Sequence, residues 1–390
     1  MKARYLVPFF TAVTAISLTM GLGVKAQATP AFARMTKLPC TSCHYGGTNR
    51  LTRFGRDFMT RGFRSVDEEG PKEPGDINIS QYVAIIGQES VTADQHADPS
   101  TTFYNEYHIL AGGPLNENFG FFLDTLLGDS AGDSAQVAAG YLNYSTSGTG
   151  DDFLFVRAGK ISPLILKSFG VDPPIGSSTL SSLTGSGLAN PNDTTPNPFV
   201  ATDAQTGIAV GYRTAKRLVA EAAVTTGPEG DPPSTNSKGV FASVEQELDE
   251  NGSALGVYGF NGKYPGLVDV NGNTYADNFS RLAVFGAYDT ENLMGTASYV
   301  LGSDSVYGAP NRHPNAYSLE LAYNTKHDVT PYIRYENDNA DTVAGKQSAV
   351  TLGVSIRLRQ LGRIVFEGML SKNPDGSTDQ SAGAELDWAF

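Results

Sequence analysis

Ser381-Ala382-Gly383-Ala384-Glu385-Leu386-Asp387-Trp388-Ala389-Phe390, the last ten residues of the chain, change character at every second position. Ala382, Leu386, Trp388 and Phe390 share one face, and Ser381, Gly383, Glu385 and Asp387 share the other. That period of two belongs to an extended strand with one apolar and one wet side. Two earlier runs repeat it. Tyr317, Leu319, Leu321 and Tyr323 oppose Ser318, Glu320 and Asn324, while Val350, Leu352, Val354, Ile356 and Leu358 oppose Thr351, Ser355, Arg357 and Arg359.

Outward from these runs, residues 76 to 390 hold about sixteen such segments, punctuated by Gly, Asn, Asp, Ser and Pro. Their usual length of about ten residues suits a tilted strand crossing a bilayer. Alternate links are tight (Gly113 to Asn116, Thr214 to Ala215, Asp249 to Gly252, Glu291 to Asn292, His327 to Asp328) and most others are long. This asymmetry predicts an all-β fold, a transmembrane barrel of about sixteen strands in lipid of the outer membrane, with short turns and both termini on the periplasmic side. A soluble sandwich is the alternative. Tyr144, Tyr258, Tyr288, Tyr299, Tyr323 and Tyr335 are expected at the two lipid interfaces. Glu320, Arg334, Glu336, Arg357, Arg359, Arg363, Glu367, Glu385 and Asp387 are expected to solvate one another across the lumen. The link from Ser162 to Asp203, with six prolines, is far longer than its peers; its apolar start (Leu164, Ile165, Leu166, Phe169) suits a loop folded into the lumen, against the alternative of a surface loop.

The N-terminus reads differently. Lys2 and Arg4 precede an apolar run from Tyr5 to Val24 and a small-residue site at Ala26-Gln27-Ala28, so residues 1–28 are expected to be a signal peptide and the chain to be exported. Of 28 basic residues, removing Lys2, Arg4 and Lys25 leaves 25 against 41 acidic, a net charge of −16, which argues against nucleic acid as a partner. The only two cysteines lie in Cys40-Thr41-Ser42-Cys43-His44. Two thiols three positions apart followed by histidine form the c-type haem attachment pattern: the thiols reach the two porphyrin vinyl groups and the imidazole becomes the proximal iron ligand. One disulfide is the alternative. For the distal ligand, Met59 is the first candidate and His108, on the lumen side with Tyr104 and Glu106, the second; an open site is a third possibility.

Ala31-Phe32-Ala33-Arg34-Met35-Thr36-Lys37-Leu38-Pro39-Cys40-Thr41-Ser42-Cys43-His44, followed by Leu51-Thr52-Arg53-Phe54-Gly55-Arg56-Asp57-Phe58 and Gly62-Phe63, resembles the outer-membrane monohaem cytochrome-porin fusions of iron-oxidising bacteria. The resemblance covers the N-terminal segment by motif and the remainder by architecture. It implies one covalent haem c on Cys40 and Cys43 with His44 on the iron, plugging or lining a barrel of roughly sixteen strands. It also implies electron transfer from extracellular Fe(II) or another donor to a periplasmic c-type cytochrome. Met59 stands where that pattern expects Lys. Residues 29–66 then form the haem segment, 67–75 a linker rich in Glu, Gly and Pro, and 76–390 the barrel. A segment of about forty residues is too small to bury an adequate core by itself, so shelter inside the barrel is expected. No acid–base pair, phosphate loop or Ser-His-Asp set stands out, so an enzyme description rests on iron oxidation alone. The alternatives are a diffusion porin with a redox-sensing or structural haem plug, and an exporter of electrons to extracellular acceptors.

Overall fold

The computed structural model describes residues 31–45, 48, 50–65, 78–95, 101–129, 135–146, 151–164, 167, 199, 204–226, 238–268, 274–306, 311–325, 328–339, 346–358 and 362–390. The expected signal peptide and linker, and His327, lie outside them.

Among the described residues, four short helices come first: α1 (Ala31–Thr36), α2 (Cys40–Cys43), α3 (Arg53–Thr60) and α4 (Ile79–Tyr82). Sixteen strands come after them: β1 (Val83–Asp94), β2 (Thr101–Pro114), β3 (Phe119–Asp129), β4 (Gln136–Ser145), β5 (Phe153–Ile161), β6 (Gln205–Arg213), β7 (Leu218–Thr225) and β8 (Lys238–Glu247). The second half is β9 (Ala254–Val268), β10 (Thr274–Asp289), β11 (Leu293–Val306), β12 (Asn315–Tyr323), β13 (Val329–Asn339), β14 (Lys346–Arg357), β15 (Gly362–Lys372) and β16 (Thr378–Ala389). Each strand pairs antiparallel with its sequence neighbour, and β1 pairs with β16, so the sheet closes on itself and leaves no edge.

The alternation read from sequence becomes inside and outside. On β12, Leu319, Leu321 and Tyr323 are exposed on the outer wall while Ser318 and Glu320 are buried in the interior. Ile208, Val210, Val240, Val244, Leu282 and Val284 continue the outer apolar band. Tyr288, Tyr299, Tyr323 and Tyr335 are exposed as expected of lipid-facing rings. Tyr258 is a correction. It is fully buried and meets Phe241, because its neighbours Leu255 and Val257 take the outer parity on β9. Among the described residues the first strand begins at Val83. The Asn78 side chain caps Ser80 N–H and turns residues 79–82 into α4, and the Tyr82 hydroxyl donates to the Pro114 carbonyl (2.8 Å).

Candidate functional site

The short link from β2 to β3 and those from β6 to β7, β8 to β9 and β10 to β11 lie at one end of the barrel, and the N-terminal segment is seated in the mouth at that end. Pro39 leads into the single turn Cys40–Cys43, closed by His44 N–H donating to the Cys40 carbonyl (2.8 Å). The two thiols, one helical turn apart, are not bonded to each other, and both cysteines and His44 are half-buried. Burial, with the neighbouring Cys40 adding to it, pushes the Cys43 thiol up to about 11.

Thr52 ties this turn to α3. Its N–H donates to the Cys43 carbonyl (2.8 Å), its hydroxyl donates to the Ser42 carbonyl (2.6 Å), and the same oxygen accepts from Gly55 N–H (3.1 Å) as the N-cap of the helix. Gly55 then presses against the turn, where a Cβ would collide with the Cys43 carbonyl oxygen. The helix stops in a Schellman arrangement: Gly62 N–H donates to the Met59 carbonyl (3.0 Å), Phe63 N–H to the Phe58 carbonyl (2.8 Å), and Gly62 is left-handed (φ 74°).

One face of this segment is aromatic. Phe32 stacks on Phe63 (5.0 Å between centroids) and meets Phe58 edge-on (5.6 Å), and Phe63 continues to Phe122 on β3 (5.8 Å) and Tyr141 on β4 (6.5 Å). Met59, one helical turn beyond Gly55 on the same face, belongs to this buried cluster. The other face is charged and finds its partners on inward residues of the wall. Arg50 pairs with Asp289 on β10 (2.6 Å), Arg56 with Glu247 on β8 (3.1 Å), and Asp57 with Arg213 on β6. The Tyr45 hydroxyl donates to the Asn251 carbonyl (2.7 Å), and the Asn143 side chain on β4 donates to the Thr60 carbonyl (3.2 Å). Arg34 reaches the carbonyls of Ser80 and Val83 beside β1. The segment thus touches the wall around much of its circumference and forms a plug.

Sequence reasoning brought out Cys40, Cys43, His44 and Met59, and the structure places all four in the plug. His108 is elsewhere: it faces the lumen from β2 with Nδ1 on Asp124 (2.6 Å) and Nε2 on Glu106, so carboxylates hold both ring nitrogens. The wall anchors Arg213, Glu247 and Asp289 were missed. Their only signal was inward parity near a short turn, opposite the charge-rich stretch from Arg50 to Arg64. Of the long link after β5, Ser162, Pro163, Leu164, Lys167 and Phe199 are described, and all are buried. Phe199 packs with tilted rings against Phe260 (4.3 Å) and Phe279 (4.9 Å), and Lys167 lies 3.6 Å from Glu221 on β7, which also holds Arg157. Ile165, Leu166 and Phe169 lie outside the described residues.

No family profile matches the chain, and no curated protein matches it. Solved barrels do. An anion-selective porin from Comamonas acidovorans aligns at 11% identity and TM-score 0.58, covering 79% of this chain and 98% of that one. A loop-deletion form of OmpT, an outer-membrane protein of Vibrio cholerae, aligns at 17% identity and TM-score 0.56, covering 78% and 99%. The outer-membrane channel DcaP of Acinetobacter baumannii aligns at 12% identity and TM-score 0.53, covering 83% and 100%. The fold is therefore that of the porins, a closed antiparallel barrel of sixteen strands.

Proposed function

We propose that the chain is an outer-membrane electron-transfer protein whose plug carries one haem c at the periplasmic mouth of the barrel. Electrons pass between an extracellular donor, ferrous iron first, and a periplasmic c-type cytochrome. The observation that carries this reading is the Cys40–His44 turn: two free thiols and an imidazole on one half-buried turn, braced by Thr52 and Gly55, in a segment clamped inside the barrel. The residues fit the group. Cys40 and Cys43 would supply the thioether attachments and His44 a nitrogen to the iron. Haem, when bound, supplies an iron centre that gains and loses one electron. Phe32, Phe58 and Phe63 keep water from the seat, and Gly55 leaves room for the turn. Met59 is the distal candidate favoured here, since His108 is held by Asp124 and Glu106. The exposed apolar band supplies the lipid contact.

Purified outer membranes from expressing cells test the reading. Covalent haem staining at the mass of this chain, abolished in Cys40→Ser/Cys43→Ser, is expected, and anaerobic ferrous iron should bring up the reduced c-type bands. Bands raised only by dithionite would shift the direction to electron export. Absence of covalent haem would refute the electron-transfer reading. It would leave a diffusion porin, which the likeness to the Comamonas porin favours and which a solute-permeable conductance in planar bilayers would support.

A further inference from the structure

The barrel wall sorts its two kinds of basic residue. The strand arginines Arg157, Arg213, Arg281, Arg334, Arg357 and Arg363 all take the inward parity, and all but Arg357 are buried there. Among the described strand residues, every lysine does the opposite. Lys238 shares its side of β8 with the exposed Val240 and Val244, and Lys263 its side of β9 with Leu255 and Val257. Lys346 shares its side of β14 with Val350 and Leu352, and Lys372 its side of β15 with Leu370. Lys160, on the side of β5 that carries Leu154, completes the set and donates to the Val137 carbonyl (3.0 Å).

Height is sorted as well. Lys238 opens β8, whose other end holds Glu247 against Arg56 of the plug, and Lys263 is level with it as its direct cross-strand partner. Lys346 opens β14 and Lys372 closes β15, both away from the link that joins those two strands, and Lys160 is the last residue but one of β5. The lysines therefore ring the outer rim of the mouth opposite the plug, immediately beyond the apolar band: the next outward positions below Lys238 and Lys372 are Val240 and Leu370. On the same wall Tyr317 and Tyr335 pair their rings (5.8 Å), as residues at a lipid interface do. Glu89 is the acidic side chain with outer parity among the described strand residues, and it lies midway along β1 with the Tyr107 hydroxyl donating to it (2.7 Å). The rim is thus cationic on a chain whose net charge is −13.

Two positions are doubled. Lys238 and Lys263 are directly opposed on neighbouring strands, and Lys372 lies opposite Ser348, two residues from Lys346. Like charges set directly across a strand pair disfavour each other, and an anion between them reverses the sign. A lysine stem lies along apolar surface while its ammonium reaches the polar layer above.

We propose that this rim binds phosphate-bearing lipid headgroups, with Lys238 and Lys263 sharing one phosphate and Lys346 and Lys372 a second. The ligand is a lipid and not a free anion because the apolar band continues directly below each pair, so one molecule can place acyl chains on Val240, Leu255 and Leu370 and its phosphate on the ammonium groups. The surface is independent of haem in the plug.

Native mass spectrometry of the full-length protein in neutral detergent tests this, with three probes: a bis-phosphorylated glycolipid, the same glycolipid with its phosphates removed, and inorganic phosphate. The wild type should retain two phosphorylated lipids and neither of the other probes. A basic residue at an anionic lipid surface is worth roughly fivefold in affinity, so Lys238→Gln/Lys263→Gln and Lys346→Gln/Lys372→Gln should each weaken one site by roughly 30-fold. Lys216→Gln, in the turn between β6 and β7 at the plug end, should retain both lipids, and heat-modifiable migration on gels checks that every variant is a folded barrel. Equal retention of the phosphate-free lipid, unchanged affinity in both double variants, or an equal loss in Lys216→Gln would each overturn the proposal. Inorganic phosphate that binds as tightly as the lipid would overturn the assignment to a lipid.

Discussion

Replacing Glu247 by glutamine should loosen the plug while sparing the barrel. This one carboxylate on β8 faces three guanidinium groups of Arg56 (3.1 Å), Arg53 (3.6 Å) and Arg217 (3.6 Å). Arg53 and Arg217 are 24% and 31% exposed, so solvent screens them and little is assigned to them. Arg56 is 3% exposed and Glu247 4%, and breaking a pair so buried strands a charge at a cost of about 3–5 kcal/mol. That is roughly 10²- to 10⁴-fold in the ratio of seated to released plug. The assay is protease cleavage between Cys40 and Arg64 along a urea series that leaves the barrel folded, as judged by its gel migration. Glu247→Gln should release the segment at clearly lower urea. The double variant Arg56→Gln/Glu247→Gln should lose less than the sum of the singles, by about 0.5–3 kcal/mol, because the second change removes the stranded charge. An unchanged release midpoint, or strict additivity, would refute the Arg56–Glu247 clamp.

Three further outcomes are expected. Gly55→Ala, which in an ordinary helix interior stabilises by about 0.5–1 kcal/mol, should here destabilise by about 1–3 kcal/mol because the new methyl meets the Cys43 carbonyl; protease release of the plug at lower urea, with an intact barrel, checks this. Phe199→Ala removes a ring packed on Phe260 and Phe279 and should weaken the lumen anchor of the long link by about 3–5 kcal/mol, read as faster proteolysis between residues 162 and 203. In the haem-free chain the raised pKa of Cys43 keeps the thiol protonated at neutral pH, so its alkylation by iodoacetamide should keep accelerating until about 11; a plateau near the ordinary thiol range would contradict the burial described.

The strand ladder was legible because alternation is a local property: two faces written into every second residue fix inside and outside without knowledge of any partner. Closure into sixteen strands came from counting runs and comparing the lengths of alternate links. The Cys40–His44 turn was legible for the same reason, since Cys40, Cys43 and His44 form one short spacing. Parity of a single ring was less secure, as Tyr258 shows, because a tyrosine suits both a lipid interface and a packed interior.

Only the tertiary structure decided which distant residues meet. Arg50 and Asp289 lie 239 positions apart and Arg56 and Glu247 191, and no local pattern distinguishes those carboxylates from others on the inner wall. They become partners because barrel closure brings the ends of β6, β8 and β10 to one mouth, where the plug presents its basic face. The carboxylates around Arg334 meet for the same reason: β12, β13 and β15 each contribute an unremarkable acidic residue, and only their register brings three carboxylates to one guanidinium.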